Sequence, residues 1–149
     1  MHIFDVLKST KNKTLEYFIL PESELVKSYA PGKWTVKEIL CHITDSETVL
    51  YDRVRRIIAE PKQVLWVYDQ DLWCENLNYK NFPLELQKNI FESVRSAVIY
   101  LAELHYDSIG DKEFVHSETG LRTFKDEVDK IGYHCEHHLQ QIEIALKSK

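Results

Sequence analysis

Two histidines near the carboxyl end of this 149-residue chain have the spacing of a metal site on a helix. They are His134 and His138, and His137 stands between them. Positions i and i+4 of an α-helix lie about 40° apart on one face, so the two imidazoles can point at one ion. Imidazole is the commonest metal-binding side chain, and two of them leave a site that another segment must complete.

The apolar residues around them rank the three histidines. With His134 at 0° on a helical wheel, the apolar stripe spans about 60° to 140°. Its members are Val128, Ile131, Cys135, Leu139, Ile142 and Leu146. His138, at about 40°, borders this stripe, whereas His137, at about −60°, points away from it into solvent. The alternative is that all three are surface residues that bind no metal.

The order of residues excludes one familiar zinc mechanism. A zinc protease motif has glutamate directly after the first histidine, where it acts as general base. Here Cys135 takes that place, and Glu136 lies on the far side of the helix from both candidate ligands. A protease of this kind is therefore not expected.

The third ligand is expected to be a histidine from another segment. His42 lies inside a predicted helix, although about 120° from the centre of the apolar stripe of that helix. A bundle helix has two neighbours, so a second face can also point inward. His2 is near the amino terminus, and His105 and His116 are at or in a predicted loop; all three rank below His42.

The three cysteines, Cys41, Cys74 and Cys135, show no pairing pattern. Adjacent residues of a helix diverge by about 100°, so neither Cys41 nor Cys135 should share an ion with the histidine beside it. Both are expected to be small buried side chains. An odd, unpatterned set of cysteines is typical of a reducing compartment, so we expect a cytoplasmic protein without disulfides.

Apolar spacing predicts four long helices and no strands. The second helix begins at a capping box, in which Thr35 precedes Glu38 by three residues. The third follows Pro83, and the fourth begins at a Thr123 cap. The predicted fold is therefore all-α, a four-helix bundle that forms a single domain over residues 1–149.

The connection between the second and third helices, residues 61–82, is long enough to run the length of the bundle. These two helices can therefore lie parallel, in an up-down-down-up order. The connection is also rich in aromatic side chains. They are Trp66, Tyr68, Trp73, Tyr79 and Phe82.

Charge and hydropathy exclude several classes of partner. The net charge is −5 and there is no basic tract, so nucleic acid is not expected. No apolar stretch approaches the ~18 residues that a membrane span needs, and the amino terminus does not resemble a signal peptide. We expect no membrane partner, and a homodimer is a reasonable expectation because two-fold dimers are the commonest oligomers.

Several runs of the chain resemble signatures of the DinB/YfiT-like family. Residues 31–47 are similar to its second-helix signature, and residues 134–142 have its last-helix pattern, H-x-x-H-H-x-x-Q-I. Between them, residues 68–73 and 116–120 are similar to its loop patterns. The pieces occur in order over most of the chain and are more specific together than any one alone.

The resemblance implies a four-helix bundle with a long crossover and a site in which His42, His134 and His138 hold one divalent metal ion. Zinc or nickel is expected first, with iron or manganese as alternatives, because imidazole suits several of these metals. The position of the aromatic connection in the family indicates a wall of the binding pocket. The alternative is that it only covers one end of the bundle.

The function that this implies is a metal-dependent enzyme. Three protein nitrogens leave a coordination position open, which is the pattern of a catalytic site. Characterised relatives include thiol-dependent transferases and isomerases, so the ion is expected to activate a low-molecular-weight thiol or water for attack on a small molecule. Asp45, Glu47 and His137 are candidate bases, and none is singled out. The alternative is a non-catalytic metal-binding or interaction protein of the same fold.

Overall fold

Four long helices form the frame of the protein, as the apolar spacing predicts. The computed structural model describes residues 1–148. Its α-helices and β-strands are α1 (Ile3–Phe18), α2 (Glu22–Leu25), α3 (Val36–Ala59), β1 (Val64–Leu65), α4 (Gln70–Asn76), α5 (Leu84–His105), β2 (Glu113–His116), β3 (Gly120–Thr123) and α6 (Phe124–Lys147), and a short 3₁₀ helix spans Tyr79–Asn81. No helix among these residues is long and apolar enough to cross a membrane.

The helix α3 begins where the capping box predicts. The Thr35 hydroxyl accepts a hydrogen bond from the Glu38 amide at 3.2 Å, and the Glu38 carboxylate accepts one from the Thr35 amide at 3.0 Å. Both amides would otherwise lack a partner, because the first turn of a helix has no preceding carbonyl groups. The cap fixes the start of the helix that positions His42, about two turns further on.

We expect Thr35→Ala to lower the free energy of unfolding by about 1 kcal/mol, because the Glu38 amide loses its acceptor. Urea denaturation followed by circular dichroism measures this change. The matched control is Thr119→Ala in the exposed turn between β2 and β3, which should change the free energy by less than about 0.5 kcal/mol. Equal effects of the two substitutions would contradict a stabilising cap.

Polar contacts show that α1 and α5 are antiparallel. The Lys8 ammonium pairs with the Glu103 carboxylate at 2.5 Å. Lys11, one turn later in α1, donates to the hydroxyl of Ser96, which lies earlier in α5, at 2.9 Å. Later residues of α1 therefore contact earlier residues of α5, as in an antiparallel pair.

The helices α3 and α6 are also antiparallel. His42, early in α3, has its Nε2 atom 3.0 Å from that of His134, in the second half of α6. Arg53, late in α3, lies 3.2 Å from Glu127, in the first turn of α6. The two helices thus face each other along most of their length.

The helices α1 and α6 run parallel and close together. A Cβ atom at Gly132 would lie 2.8 Å from the Ile3 side chain, so glycine permits this close approach. Eleven positions after Ile3, the Thr14 hydroxyl lies 3.4 Å from the thiol of Cys135. With α1 and α6 in one direction and α3 and α5 in the other, the order is up-down-down-up, as predicted.

A buried ion pair joins three of the helices at the centre of the bundle. Arg95 in α5 is 0% exposed, and its guanidinium holds the Glu47 carboxylate of α3 through hydrogen bonds of 2.5 and 2.8 Å. It also donates to the Leu7 carbonyl at 3.0 Å and to the Thr10 hydroxyl at 2.8 Å, both in α1. Burial of this charge is tolerated because it is both paired and hydrogen-bonded.

The prediction that the chain has no strands is wrong, because three short strands form a small sheet. β1 pairs in parallel with β2, and β2 pairs with β3 in an antiparallel hairpin. The strands have only two to four residues, too few for the alternation that identifies a strand in a sequence. Buried His116 stabilises the hairpin turn, since its Nδ1 atom accepts hydrogen bonds from the amides of Glu118 and Thr119, both at 3.1 Å.

Candidate metal centre

Three imidazoles converge between α3 and α6. The Nε2 atom of His134 lies 3.0 Å from that of His42 and 3.1 Å from that of His138. One ring nitrogen from each residue lies within 4.8 Å of the other two. The structure therefore brings together the same three histidines that the sequence and the family resemblance single out.

The spacing of these nitrogens suits a divalent ion. Ligands about 2.0–2.1 Å from a metal are about 2.9–3.4 Å apart in octahedral and tetrahedral arrangements. The separations of 3.0 and 3.1 Å fall in this range. Nitrogen donors fit zinc, nickel, iron or manganese better than calcium or magnesium, which take oxygen ligands.

Burial keeps the three imidazoles in the neutral state that can bind a metal. It lowers the pKa of His42 to about 2 and that of His134 to about 3, and the neighbouring imidazoles add to the effect. The pKa of His138 is also lowered, chiefly by burial. A neutral imidazole offers the lone pair that a protonated one lacks.

His42 is buried although its position on the helical wheel is unfavourable. The helix α3 packs against both α5 and α6, so it has two buried faces instead of one. His42 points toward α6, is 0% exposed, and packs against Trp34 with ring centres 4.8 Å apart. The apolar stripe that the sequence shows describes only part of the buried surface of this helix.

Gln141 orients one of the three imidazoles. The Nδ1 atom of His138 donates a hydrogen bond of 2.7 Å to the side-chain oxygen of Gln141. This hydrogen bond leaves Nε2 without a proton and free to bind a metal. The Gln141 amide nitrogen lies 3.3 Å from His137, which is exposed, as the wheel predicts, and lines the cavity beside the cluster. Sequence reasoning missed this role, although Gln141 lies one turn after His138.

Two hydroxyl groups lie next to the converging nitrogens. The Ser46 hydroxyl is 3.4 Å from the Nε2 atom of His42, and it shares a short hydrogen bond with the Tyr68 hydroxyl. Burial raises the pKa of Tyr68, so this phenol keeps its proton at neutral pH. Ser46 also escaped the sequence analysis, although its i+4 spacing from His42 places both on one face of α3.

The aromatic connection reaches the centre through Tyr68. The ring of Trp73, in α4, packs against that of Tyr68 with centres 4.6 Å apart. The side chain of Trp66, two residues before Tyr68, is 76% exposed, although the Arg53 guanidinium donates to the Trp66 carbonyl oxygen at 2.7 Å. Part of the connection therefore forms a wall of the site, and Trp66 lies outside it.

A cavity of about 460 Å³ opens beside the histidines. His134 and His138 line one side, and Trp34 and Asp71 contribute to the others. Lys33, at the exposed rim, adds a positive charge. The volume suits a small molecule, because ligand sites of this class measure about 300–1,000 Å³.

The candidate bases are engaged in other contacts. Both carboxylate oxygens of Glu47 bind Arg95, which excludes Glu47 as a base. The Asp45 carboxylate accepts a hydrogen bond from the Tyr79 hydroxyl, and burial raises the pKa of Asp45. The third candidate, His137, lines the cavity and contacts Gln141 at 3.3 Å. The hydroxyls of Ser46 and Tyr68 are further polar groups beside the nitrogens.

The cysteines are free and buried, and none belongs to the histidine cluster in the part of the chain that the structure describes. Burial raises the pKa of Cys41 to about 12 and that of Cys74 to about 12, so both remain thiols at neutral pH. Cys135 contacts Thr14 between α6 and α1. These side chains fill the core, as predicted for Cys41 and Cys135.

Comparison with known proteins identifies the family. A family model for the DinB superfamily matches residues 7–142, and the chain therefore belongs to this superfamily. The solved structure of YfiT from Bacillus subtilis is similar, with a TM-score of 0.85, 22% identity, and coverage of 95% of this chain and 82% of that chain. YfiT is described as a probable metal-dependent hydrolase with an unusual four-helix bundle topology, and the likeness confirms the predicted fold.

Curated relatives have names that mention a metal. A protein of Oceanobacillus iheyensis is 29% identical over 129 residues, which cover 87% of this chain and 74% of the relative. A second protein of that organism is 28% identical over 147 residues, which cover 99% of this chain and 83% of that relative. Both are named "Putative metal-dependent hydrolase", as is a Bacillus cereus protein that is 27% identical over 83% of this chain and 70% of its own length.

Proposed function

We propose that the chain is a metal-dependent enzyme in which His42, His134 and His138 hold one divalent ion. The observation that carries the proposal is the convergence of three neutral imidazole nitrogens between α3 and α6. The names of the curated relatives support dependence on a metal. Zinc or nickel is the ion we expect first, with iron or manganese as alternatives.

Three protein ligands suit catalysis, because a structural zinc site closes with four. A divalent ion in this place lowers the pKa of water to about 7 or stabilises a thiol as its thiolate. The hydroxyls of Ser46 and Tyr68 would orient the attacking water or thiol by hydrogen bonding. Trp34 and Trp73 would limit the access of bulk water to the reacting atoms.

Two reactions fit this arrangement. Hydrolysis of a small molecule is the first, and the names of the curated relatives support it. Transfer of a low-molecular-weight thiol to an electrophile is the second. Because the three neutral imidazoles of His42, His134 and His138 carry no charge, an ion held by them would keep its full positive charge, which would favour attraction of an anionic thiolate.

The test compares protein stripped of metal with protein reconstituted with zinc or nickel. Elemental analysis should find about one ion per chain, and turnover of a nitrophenyl ester, or consumption of a small thiol with an aromatic electrophile, should appear only with metal. Stoichiometric metal without turnover on either substrate would favour the alternative, a non-catalytic metal-binding or interaction protein. Absence of stoichiometric metal would contradict both.

We expect Gln141→Ala to weaken binding of zinc by about 10- to 100-fold, because the His138 ring loses the acceptor that fixes its orientation. Competition with a chromophoric chelator measures the dissociation constant. The control is Gln140→Ala, an exposed neighbour on the same helix, which should leave the affinity unchanged. The role of Gln141 would be refuted by equal affinities of the two variants.

We propose a cytoplasmic protein that acts on a small molecule, without a nucleic-acid or membrane partner, and forms a homodimer. Size-exclusion chromatography with light scattering measures the mass of the assembly. A monomer at all concentrations would contradict the last point.

A further inference from the structure

Lys130 lies one helical turn before His134 in α6. It precedes His134 by four residues, as His134 precedes His138, so successive members of this row are about 40° apart. The step from Lys130 to His134 along the helix axis is about 6 Å. Lys130 is half-buried, although lysine is among the side chains that are almost always exposed.

No acidic partner holds the Lys130 ammonium. Within residues 1–148 it forms no ion pair and no side-chain hydrogen bond, although several exposed lysines and arginines form ion pairs. The acidic side chains that raise the pKa of Lys130 are Glu127 and Glu118. Glu127 pairs with buried Arg53 at 3.2 Å, and Glu118 is exposed in the hairpin turn.

Lys130 has no counter-charge of its own, because the charged side chains around it pair with one another: Arg53 with Glu127 at 3.2 Å and Arg122 with Asp126 at 3.9 Å. Burial lowers its pKa, and Arg53 and Arg122 act in the same direction, while Glu127 and Glu118 oppose them. His116 and His134 are also titratable neighbours, and burial lowers the pKa of both. A half-buried ammonium without a counter-charge is unfavourable, and a bound anion would offset this cost.

The helix α3, which faces α6, also carries a row of polar side chains. His42, Ser46 and Arg53 lie on one face of α3, which runs antiparallel to α6. His42 and Arg53 are eleven residues apart, or about 16 Å along the helix. Lys130 therefore lies between the histidine cluster at one end and the ion pair of Arg53 and Glu127 at the other.

We propose that the site selects substrates that carry an anionic group, a carboxylate or a phosphate, which Lys130 binds while the reacting group lies at the histidine cluster. This inference rests on the proposed function, since it needs a divalent ion with an open coordination position. The three neutral imidazoles add no negative charge, so the ion and Lys130 together attract an anion. Lys130 is a specificity-determining residue in this arrangement.

The test uses the full-length protein loaded with zinc and two probes that share one metal-binding group. One probe is the monohydroxamate of succinic acid, which has a free carboxylate, and the other is the corresponding neutral amide. Calorimetry gives the dissociation constants for the wild type, Lys130→Met, Lys130→Gln and Lys130→Arg. The matched control is Lys147→Met, an exposed position at the end of the same helix.

We expect the wild type and Lys147→Met to bind the carboxylate probe at least about tenfold more tightly than the amide. Lys130→Met and Lys130→Gln should lose this preference but keep their zinc and their affinity for the amide, whereas Lys130→Arg should retain the preference. Equal binding of both probes by the wild type, or a preference that survives in the neutral variants, would overturn the inference. Failure of both probes to bind zinc-loaded protein would instead refute the open coordination position of the proposed function, and the inference with it.

Discussion

Replacing His138 by alanine should abolish stoichiometric binding of zinc or nickel, whereas replacing His137 by alanine should leave it intact. The two positions are adjacent in the sequence, but only His138 has its Nε2 atom in the cluster, 3.1 Å from that of His134. Loss of an orienting partner already costs about 10- to 100-fold in metal affinity, so loss of a ligand should cost more than about 100-fold. Competition with a chromophoric chelator measures both variants.

Comparison of His138→Ala with His137→Ala distinguishes the loss of a metal ligand from a general disturbance of α6. His137→Ala removes an exposed imidazole that contacts Gln141 at 3.3 Å, and it should reduce the affinity by less than about tenfold. Circular dichroism should show the same helix content in both variants. If His137→Ala loses the metal as completely as His138→Ala, then the proposed ligand set is incorrect. Turnover, if it depends on the ion, should follow metal content in both variants.

The second large effect concerns the buried ion pair of Arg95 and Glu47. We expect Arg95→Met to lower the free energy of unfolding by about 3–5 kcal/mol, because it leaves the Glu47 carboxylate buried without a counter-charge. The Leu7 carbonyl and the Thr10 hydroxyl lose a donor at the same time. Urea denaturation at neutral pH measures the loss.

Two further variants test this explanation. Arg56→Met removes an exposed arginine that pairs with Asp52 at 2.8 Å, and it should cost less than about 1 kcal/mol because solvent screens the pair. The double variant Arg95→Met with Glu47→Leu should recover much of the loss, since an apolar pair of similar volume can replace a buried ion pair. A double variant less stable than Arg95→Met alone would show that the unpaired carboxylate is not the cause.

The helices and their beginnings were predictable because the relevant interactions are local. The capping box of Thr35 and Glu38 involves residues three apart, and the apolar stripe repeats within each helix. The i+4 spacing of His134 and His138 likewise needs only the geometry of one helix. The small sheet was not predictable, because two- to four-residue strands are too short to show a period.

The candidate site was predictable only in part. The resemblance to the DinB/YfiT-like family placed His42 with the other two histidines, while its position on the helical wheel argued against it. Ser46 and Gln141 lie one helical turn from a ligand, so their spacing was visible in the sequence, but nothing there marked them among other polar residues. Lys130 has the same spacing from His134, and only its burial and lack of a partner distinguish it.

The sequence by itself determined the four helices, their caps and the two imidazoles on one face of α6, because a helix relates residues three or four positions apart. Only the tertiary structure decided that α3 turns a second face toward α6 and brings His42 within 3.0 Å of His134. It also decided that Arg95 finds Glu47 at the centre of the bundle, and that Tyr68 folds back onto Ser46. These contacts join distant segments, and their geometry depends on how the helices pack, which no local spacing specifies.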